Sequence, residues 1–130
     1  MRFTDKTVYR MAEDIEIPLC SYLVGDRKDI ANPVVVAVRD GEIIGFISTR
    51  ERRDIIEAGA FFAKSPIVAL RLVQAYENFL KRCNIHEYHF AVETGNQHFC
   101  ELIHKFMERV PNAIRQYAVG QGFTAYRRMI

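Results

Sequence analysis

Cysteine is scarce in this chain. Its three residues, Cys20, Cys83 and Cys100, are odd in number and widely spaced, and no CxxC pair occurs. That pattern excludes the disulfide framework of small secreted domains and points to free, largely buried thiols in a reducing compartment. Long apolar runs are missing as well: none approaches the roughly 20 residues a membrane span requires, and the opening MRFTDKTVYRMAEDIEI is too charged for a signal peptide. Both readings place the protein in the cytoplasm of its host cell, with no membrane partner. Neither sign of charge prevails, since eighteen Lys and Arg against sixteen Asp and Glu leave a formal net charge of +2. A nucleic-acid partner therefore has no electrostatic support beyond two short arginine groups. Internal repeats, low-complexity tracts and Pro/Gly/Ser-rich linkers are also absent, so one domain is expected over residues 1–130.

What remains is a composition that is 49% hydrophobic over 130 residues, enough to bury a core without metal or disulfide. Thr4 or Asp5 can cap a short helix over about 6–14, and Pro18 and Gly25 break any long helix in the mixed stretch that follows. Pro33-Val-Val-Val-Ala-Val-Arg39 and Glu42-Ile-Ile-Gly-Phe-Ile-Ser48 are β-branched or apolar runs around the tight-turn pair Asp40-Gly41, which predicts a hairpin. After the charged segment 49–54, Ile55-Ile-Glu-Ala-Gly-Ala-Phe-Phe-Ala63 supplies a third strand, central in the sheet because it is mostly apolar.

Ser65 followed by Pro66 reads as a helix start, and Ala69, Leu72, Val73, Tyr76, Phe79, Leu80 and Cys83 then recur at three- and four-residue steps. Glu87-Tyr-His-Phe-Ala-Val-Glu93 is a strand, and Asn96 can cap a second amphipathic helix with Phe99, Ile103, Phe106 and Val110 on its apolar side. Two closing strands, 113–119 and 123–129, are joined across Gly120-Gln-Gly122. The fold class is therefore mixed α/β: an antiparallel meander, a β-α-β unit, a second helix and a C-terminal β-hairpin. The strand ending at Ala63 and the strand beginning at Glu87 should lie parallel and adjacent.

The hairpin VVVAVRDGEIIGFIS, the long helix after the third strand and the strand-plus-Asn helix AVETGNQHFCELIHKF resemble the GNAT superfamily of acyl-CoA N-acyltransferases over about residues 33–130. The resemblance implies transfer of an acetyl group from acetyl-CoA to a small-molecule or protein amine. It also implies that the two parallel strands splay apart to admit the pantetheine arm, while the start of the helix between them receives the pyrophosphate. By that resemblance the backbone of Phe61, Phe62 and Ala63 and the side chain of Asn96 would hold the pantetheine. Lys64, Ser65 and Ile67 would hold the pyrophosphate, and Glu57 would take a proton from the amine.

The sequence also departs from the family. Where the family has a glycine-rich pyrophosphate loop, this chain has Ala63-Lys-Ser-Pro-Ile-Val-Ala69. Seven residues after Asn96, where many members carry a Tyr proton donor, stands Ile103, and the Gly-Phe pair that commonly closes that helix is replaced by Met107-Glu108. The helix start and meander also resemble GNAT-like internal virion proteins of short-tailed phages, which share the absent glycines. That second resemblance implies a non-catalytic binding or assembly module, in a virion or as a homo-oligomer.

Other residues carry blander readings. Asn96 serves equally as a helix cap. His86 and His89 are three apart near a strand and face opposite sides, and His98 and His104 lie roughly 240° apart on a helix, so no metal site is expected. Surface histidines are the default, with His104 kept as an acid or base because it follows the missing Tyr. The groups Arg50, Arg52, Arg53 and Arg127, Arg128 read as solvated charge, or as an anion site if they converge. Phe61, Phe62, Tyr88, Phe90, Tyr117, Phe123 and Tyr126 read mostly as core or cross-strand aromatics, and Cys100 as inert packing.

Overall fold

The computed structural model describes residues 6–26, 30–120 and 122–130, apart from the side chain of Arg52. Seven strands form one sheet: β1 (Val8–Met11), β2 (Val35–Arg39), β3 (Glu42–Arg52), β4 (Ile55–Ala63), β5 (Glu87–Glu93), β6 (Ile114–Val119) and β7 (Phe123–Met129), in the spatial order β1-β2-β3-β4-β5-β7-β6. All neighbours pair antiparallel except β4 and β5. The helices are α1 (Ile17–Leu23), entered through a 3₁₀ turn at Asp14–Glu16, α2 (Pro66–Arg82) and α3 (Gln97–Arg109).

Local chemistry sets the element ends. Asp40 and Gly41 both take positive φ, 51° and 76°, the two-residue turn whose twist suits a hairpin. Ser65 Oγ accepts a hydrogen bond from the Val68 N–H at 3.3 Å, and Pro66 fills the first turn, where its missing donor costs nothing. Asn96 Oδ1 likewise caps α3 through the Phe99 N–H at 3.3 Å. Asn84, at φ 60°, closes α2 in the left-handed conformation that an Asn tolerates.

The sheet separates two cores. On one face Val68, Leu72, Tyr76 and Leu80 of α2 pack on Val35, Ala37, Ile44, Ile47 and Tyr88, and α3 joins that face through Ile103 against Val92 and Tyr126. On the other, Cys20 of α1 packs with Val34, Val36, Phe46 and Ala60. Gly45 is where α2 crosses β3 most closely: a Cβ there would lie 2.6 Å from Leu72 Cδ1 and 2.9 Å from the Phe62 carbonyl oxygen.

Four expectations are corrected. The helix over 6–14 is instead the edge strand β1 followed by the 3₁₀ turn, while the proposed caps Thr4 and Asp5 lie outside the described residues. The segment 49–54 is no loop. Strand β3 runs through it to Arg52, and the chain reverses at Arg53 and Asp54, both at positive φ (50° and 67°). Cys83 is exposed rather than buried. Phe61, Tyr117 and Phe123 are exposed, whereas Tyr88 and Tyr126 are core as expected. The strands 87–93 and 123–129 and the start of α2 fall where the sequence puts them, and the β6–β7 hairpin is present, with Gln121 of its turn outside the described residues.

Candidate functional site: an opening between two parallel strands

Strands β4 and β5 share a single register point, Glu57 opposite His89. Beyond it no further residue of β4 pairs with one of β5. A bulge on β4 follows, where Ile47 pairs with Phe61 but Thr49 pairs with Ala58, so that both Gly59 and Ala60 stand opposite Ser48. Ser48 fastens this bulge. The residue is 1% exposed, and its hydroxyl accepts from the Ala60 N–H at 2.8 Å and lies 3.3 Å from the Ala60 carbonyl oxygen. A Cβ on Gly59 would come within 2.8 Å of that hydroxyl.

After the bulge the ladder's alternation decides which backbone groups face the gap. The Lys64 N–H bonds the Ile44 carbonyl at 2.9 Å, so Phe62, two residues earlier, also turns its N–H and C=O toward β3. Phe61 and Ala63 therefore turn theirs toward β5, where no strand pairs with them. An extended, amide-bearing ligand laid in the gap could satisfy those groups as a strand would. Of the segment expected to hold pantetheine, Phe61 and Ala63 thus face the opening, whereas Phe62 is committed to β3 and to the α1 core.

The adjoining helix start is poor in donors. Only Lys64 and Ser65 separate β4 from α2. Pro66 has no N–H, that of Lys64 bonds Ile44, that of Val68 bonds Ser65 Oγ, and that of Ala69 bonds the Ser65 carbonyl at 3.0 Å. The N–H groups of Ser65 and Ile67 remain. The Lys64 ammonium is ion-paired with the Glu42 carboxylate. The unpaired backbone after Glu57 thus offers an extended ligand the peptide groups of Phe61 and Ala63, and an anion beside it would meet two amides and the positive pole of α2.

The register also builds a polar row on the face opposite α2 and α3. Arg50, Glu57, His89, Arg127 and Arg115 stand side by side across β3, β4, β5, β7 and β6. Arg50 Nη1 lies 3.8 Å from Glu57 Oε1, and Arg127 Nε lies 3.8 Å from Glu87 Oε2. His89 is largely shielded and lies between Glu87, with Nε2 3.4 Å from Oε1, and Tyr117, with Nδ1 3.1 Å from the hydroxyl. Its ring meets that of Tyr117 edge-on, centroids 5.3 Å apart. Helix α1 covers the β2–β3–β4 part of this face.

The remaining candidates lie apart from this row. His104 sits on α3 with its ring edge-on to Tyr126, on the opposite face of the sheet. Nor are Arg127 and Arg128 jointly solvated. Arg128 turns inward, its Nε and Nη2 bonding Glu77 at 2.8 and 3.1 Å, with its guanidinium 5.0 Å over the Phe106 ring. The Tyr88 hydroxyl donates to the same carboxylate at 2.7 Å, and burial, with that carboxylate beside it, pushes the Tyr88 phenol far up. The Asn96 side-chain oxygen is spent on its cap. Two surface grooves of about 530 and 510 Å³ lie elsewhere, between β1 and α2 and at the end of the β3–β4 hairpin. No cluster of metal-binding side chains occurs among the described residues, and no helix among them is long and apolar enough to cross a membrane.

Sequence reasoning missed Ser48, Tyr117 and the pairing of His89. A serine facing a Gly-Ala step on the next strand was the only local signal for the first, and the other two depend on β7 standing between β5 and β6.

The sequence matches no model of a known protein family and no characterised protein. Solved structures do share its fold. The ribosomal-protein-alanine N-acetyltransferase from Brucella melitensis superposes with a TM-score of 0.69 at 17% identity, over 95% of this chain and 99% of that one. Diaminobutyrate acetyltransferase EctA from Paenibacillus lautus, in complex with L-2,4-diaminobutyric acid and coenzyme A, gives 0.70 at 14% identity, over 97% and 96%. The PaiA N-acetyltransferase from Thermoplasma acidophilum, in complex with coenzyme A, gives 0.61 at 17% identity, over 75% of this chain and 60% of the longer Thermoplasma chain. The mixed seven-stranded sheet with its three helices is thus the GNAT fold.

Proposed function

We propose that this protein is an N-acetyltransferase that takes its acetyl group from acetyl-CoA and gives it to an amine presented on the open face of the sheet. The observation that carries the proposal is the opening between β4 and β5, into which the peptide groups of Phe61 and Ala63 turn without a strand to pair with. Acetyl-CoA, when bound, supplies an acetyl thioester to the amine. Phe61 and Ala63 hold the pantetheine by strand-like hydrogen bonds, and the Ser65 and Ile67 amides receive the pyrophosphate, with the Lys64 ammonium nearby. Glu57, at the closed end of the opening, takes a proton from the amine. Asn96 offers the pantetheine its side-chain NH₂, since its oxygen is occupied. Placement contributes most of the rate in such a site, so few catalytic side chains are required.

The scarcity of free amides at the start of α2 favours a second reading, a binding or assembly module of the same fold, such as a virion component. One titration separates them. Acetyl-CoA at 100 times its dissociation constant should add about 2.7 kcal/mol to stability, seen as a rise in Tm, and acetylation of a panel of amines should follow. No shift at millimolar acetyl-CoA would favour the module.

A further inference from the structure

We propose that Glu87, His89 and Tyr117 form a proton relay serving the acceptor amine, with the Tyr117 hydroxyl as its outer end; this rests on the acetyltransferase reading. Three observations place the relay. His89 is the β5 residue at the one register point where β4 and β5 meet, so its ring stands beside Glu57 where the opening closes. Its two nitrogens are both engaged, Nε2 toward Glu87 at 3.4 Å and Nδ1 toward Tyr117 at 3.1 Å. Tyr117 reaches over β7 from β6 and is 55% exposed, while the His89 side chain is 14% exposed. The phenol is therefore the member an incoming amine can touch.

The hydrogen-bond chemistry fixes the direction of proton movement. A carboxylate can only accept, so the nitrogen facing Glu87 carries the proton and Nε2–H donates to it. In the neutral ring Nδ1 is then an acceptor, and the Tyr117 O–H donates to it. Once Glu57 has taken the first proton from the ammonium, this carboxylate–imidazole–hydroxyl order lets the remaining N–H bond of the attacking amine break toward Tyr117 Oη as the phenol's own proton passes to His89 Nδ1. The resulting imidazolium is balanced by Glu87, and the proton is later released to water. The charges facing His89 from each packed strand are Arg50 on β3, Glu57 on β4, Glu87 on its own strand, Arg127 on β7, and Arg115 with Tyr117 on β6.

The test combines nitrogen-15 imidazole NMR of the full chain with steady-state kinetics. The relay requires His89 to be the Nε2–H tautomer, its Nε2 resonance to move in Glu87→Gln, and its Nδ1 resonance to move in Tyr117→Phe. Kinetically, Tyr117→Phe should lower kcat by about a hundredfold with the acceptor KM changed less than about threefold. An Nδ1–H tautomer, an Nε2 resonance unmoved in Glu87→Gln, or a Tyr117→Phe variant with wild-type kcat overturns it. The NMR arm needs no donor, so a wild-type protein that transfers no acetyl group defeats the functional reading separately.

Discussion

Removing the Ser48 hydroxyl tests whether the opening is held in shape by a single side chain. In Ser48→Ala the Ala60 N–H, bonded at 2.8 Å, is left without its partner in a buried position, which costs about 1–3 kcal/mol. Gly59→Ala acts at the same spot from the other strand, since its Cβ would lie 2.8 Å from Ser48 Oγ, and forcing it in costs about 1–3 kcal/mol. The two changes should not add. With the hydroxyl gone, the nearest remaining neighbour of that Cβ is the Ser48 carbonyl oxygen at 3.6 Å, an ordinary contact. The double variant should therefore be more stable than the sum of the singles predicts, by about 1 kcal/mol or more. Urea unfolding of the four proteins measures this, and each kcal/mol should also appear as a change in Tm of about 4 °C. Additivity within about 0.5 kcal/mol would refute the account of the bulge.

Two further outcomes follow from buried charge. Arg128→Met takes from the buried Glu77 carboxylate its charged partner, leaving it the hydrogen bond from the Tyr88 hydroxyl, and should cost about 3 kcal/mol, whereas Glu77→Leu combined with Arg128→Met should cost less than the two singles together; thermal unfolding checks both. The Glu16 carboxyl is held below its ordinary value of 4.5, first by its hydrogen bonds from the Arg10 guanidinium at 2.7 and 3.0 Å. A depressed carboxyl contributes stability that is present above the unfolded value and lost as pH falls through the folded one. Glu16→Gln should therefore flatten the loss of stability below about pH 4.5, and an acid limb as steep as that of the wild type in a pH series of urea midpoints would contradict it.

The middle of the chain was legible because its signals are local. Ser65-Pro66, the three- and four-residue apolar steps of α2 and the apolar run 55–63 each fix an element without help from elsewhere, so the β-α-β unit at the heart of the candidate site could be read directly. Strand β1 was not legible. Its residues Val8 and Met11 are both exposed, so no alternation marks it, and its pairing is set by β2, as in Val8 with Val38. The Arg53-Asp54 turn hid for a related reason: positive φ is expected of Gly or Asn, and here Arg and Asp adopt it because the strands on either side pair. At the candidate site, Glu57 and Phe61–Ala63 were pointed to by the family resemblance, which rests on the order of the elements. The partners of His89 and Arg128 could not, because Tyr117 lies 28 residues away from one and Glu77 lies 51 from the other.

The lone meeting point of β4 and β5 also shapes how the molecule holds together. The ladder β1–β4 and the ladder β5–β7 are each continuously bonded, yet between them the sheet offers almost no seam. Helix α2 closes it like a rivet with two adjoining residues. The Tyr76 hydroxyl lies 2.9 Å from Thr49 Oγ1 in the first half, while the Glu77 carboxylate grips Arg128 in the second. Loosening that one turn of helix would free both halves to exchange their amide protons as separate cooperative units, so the element that frames the cleft is also the one that keeps the domain whole.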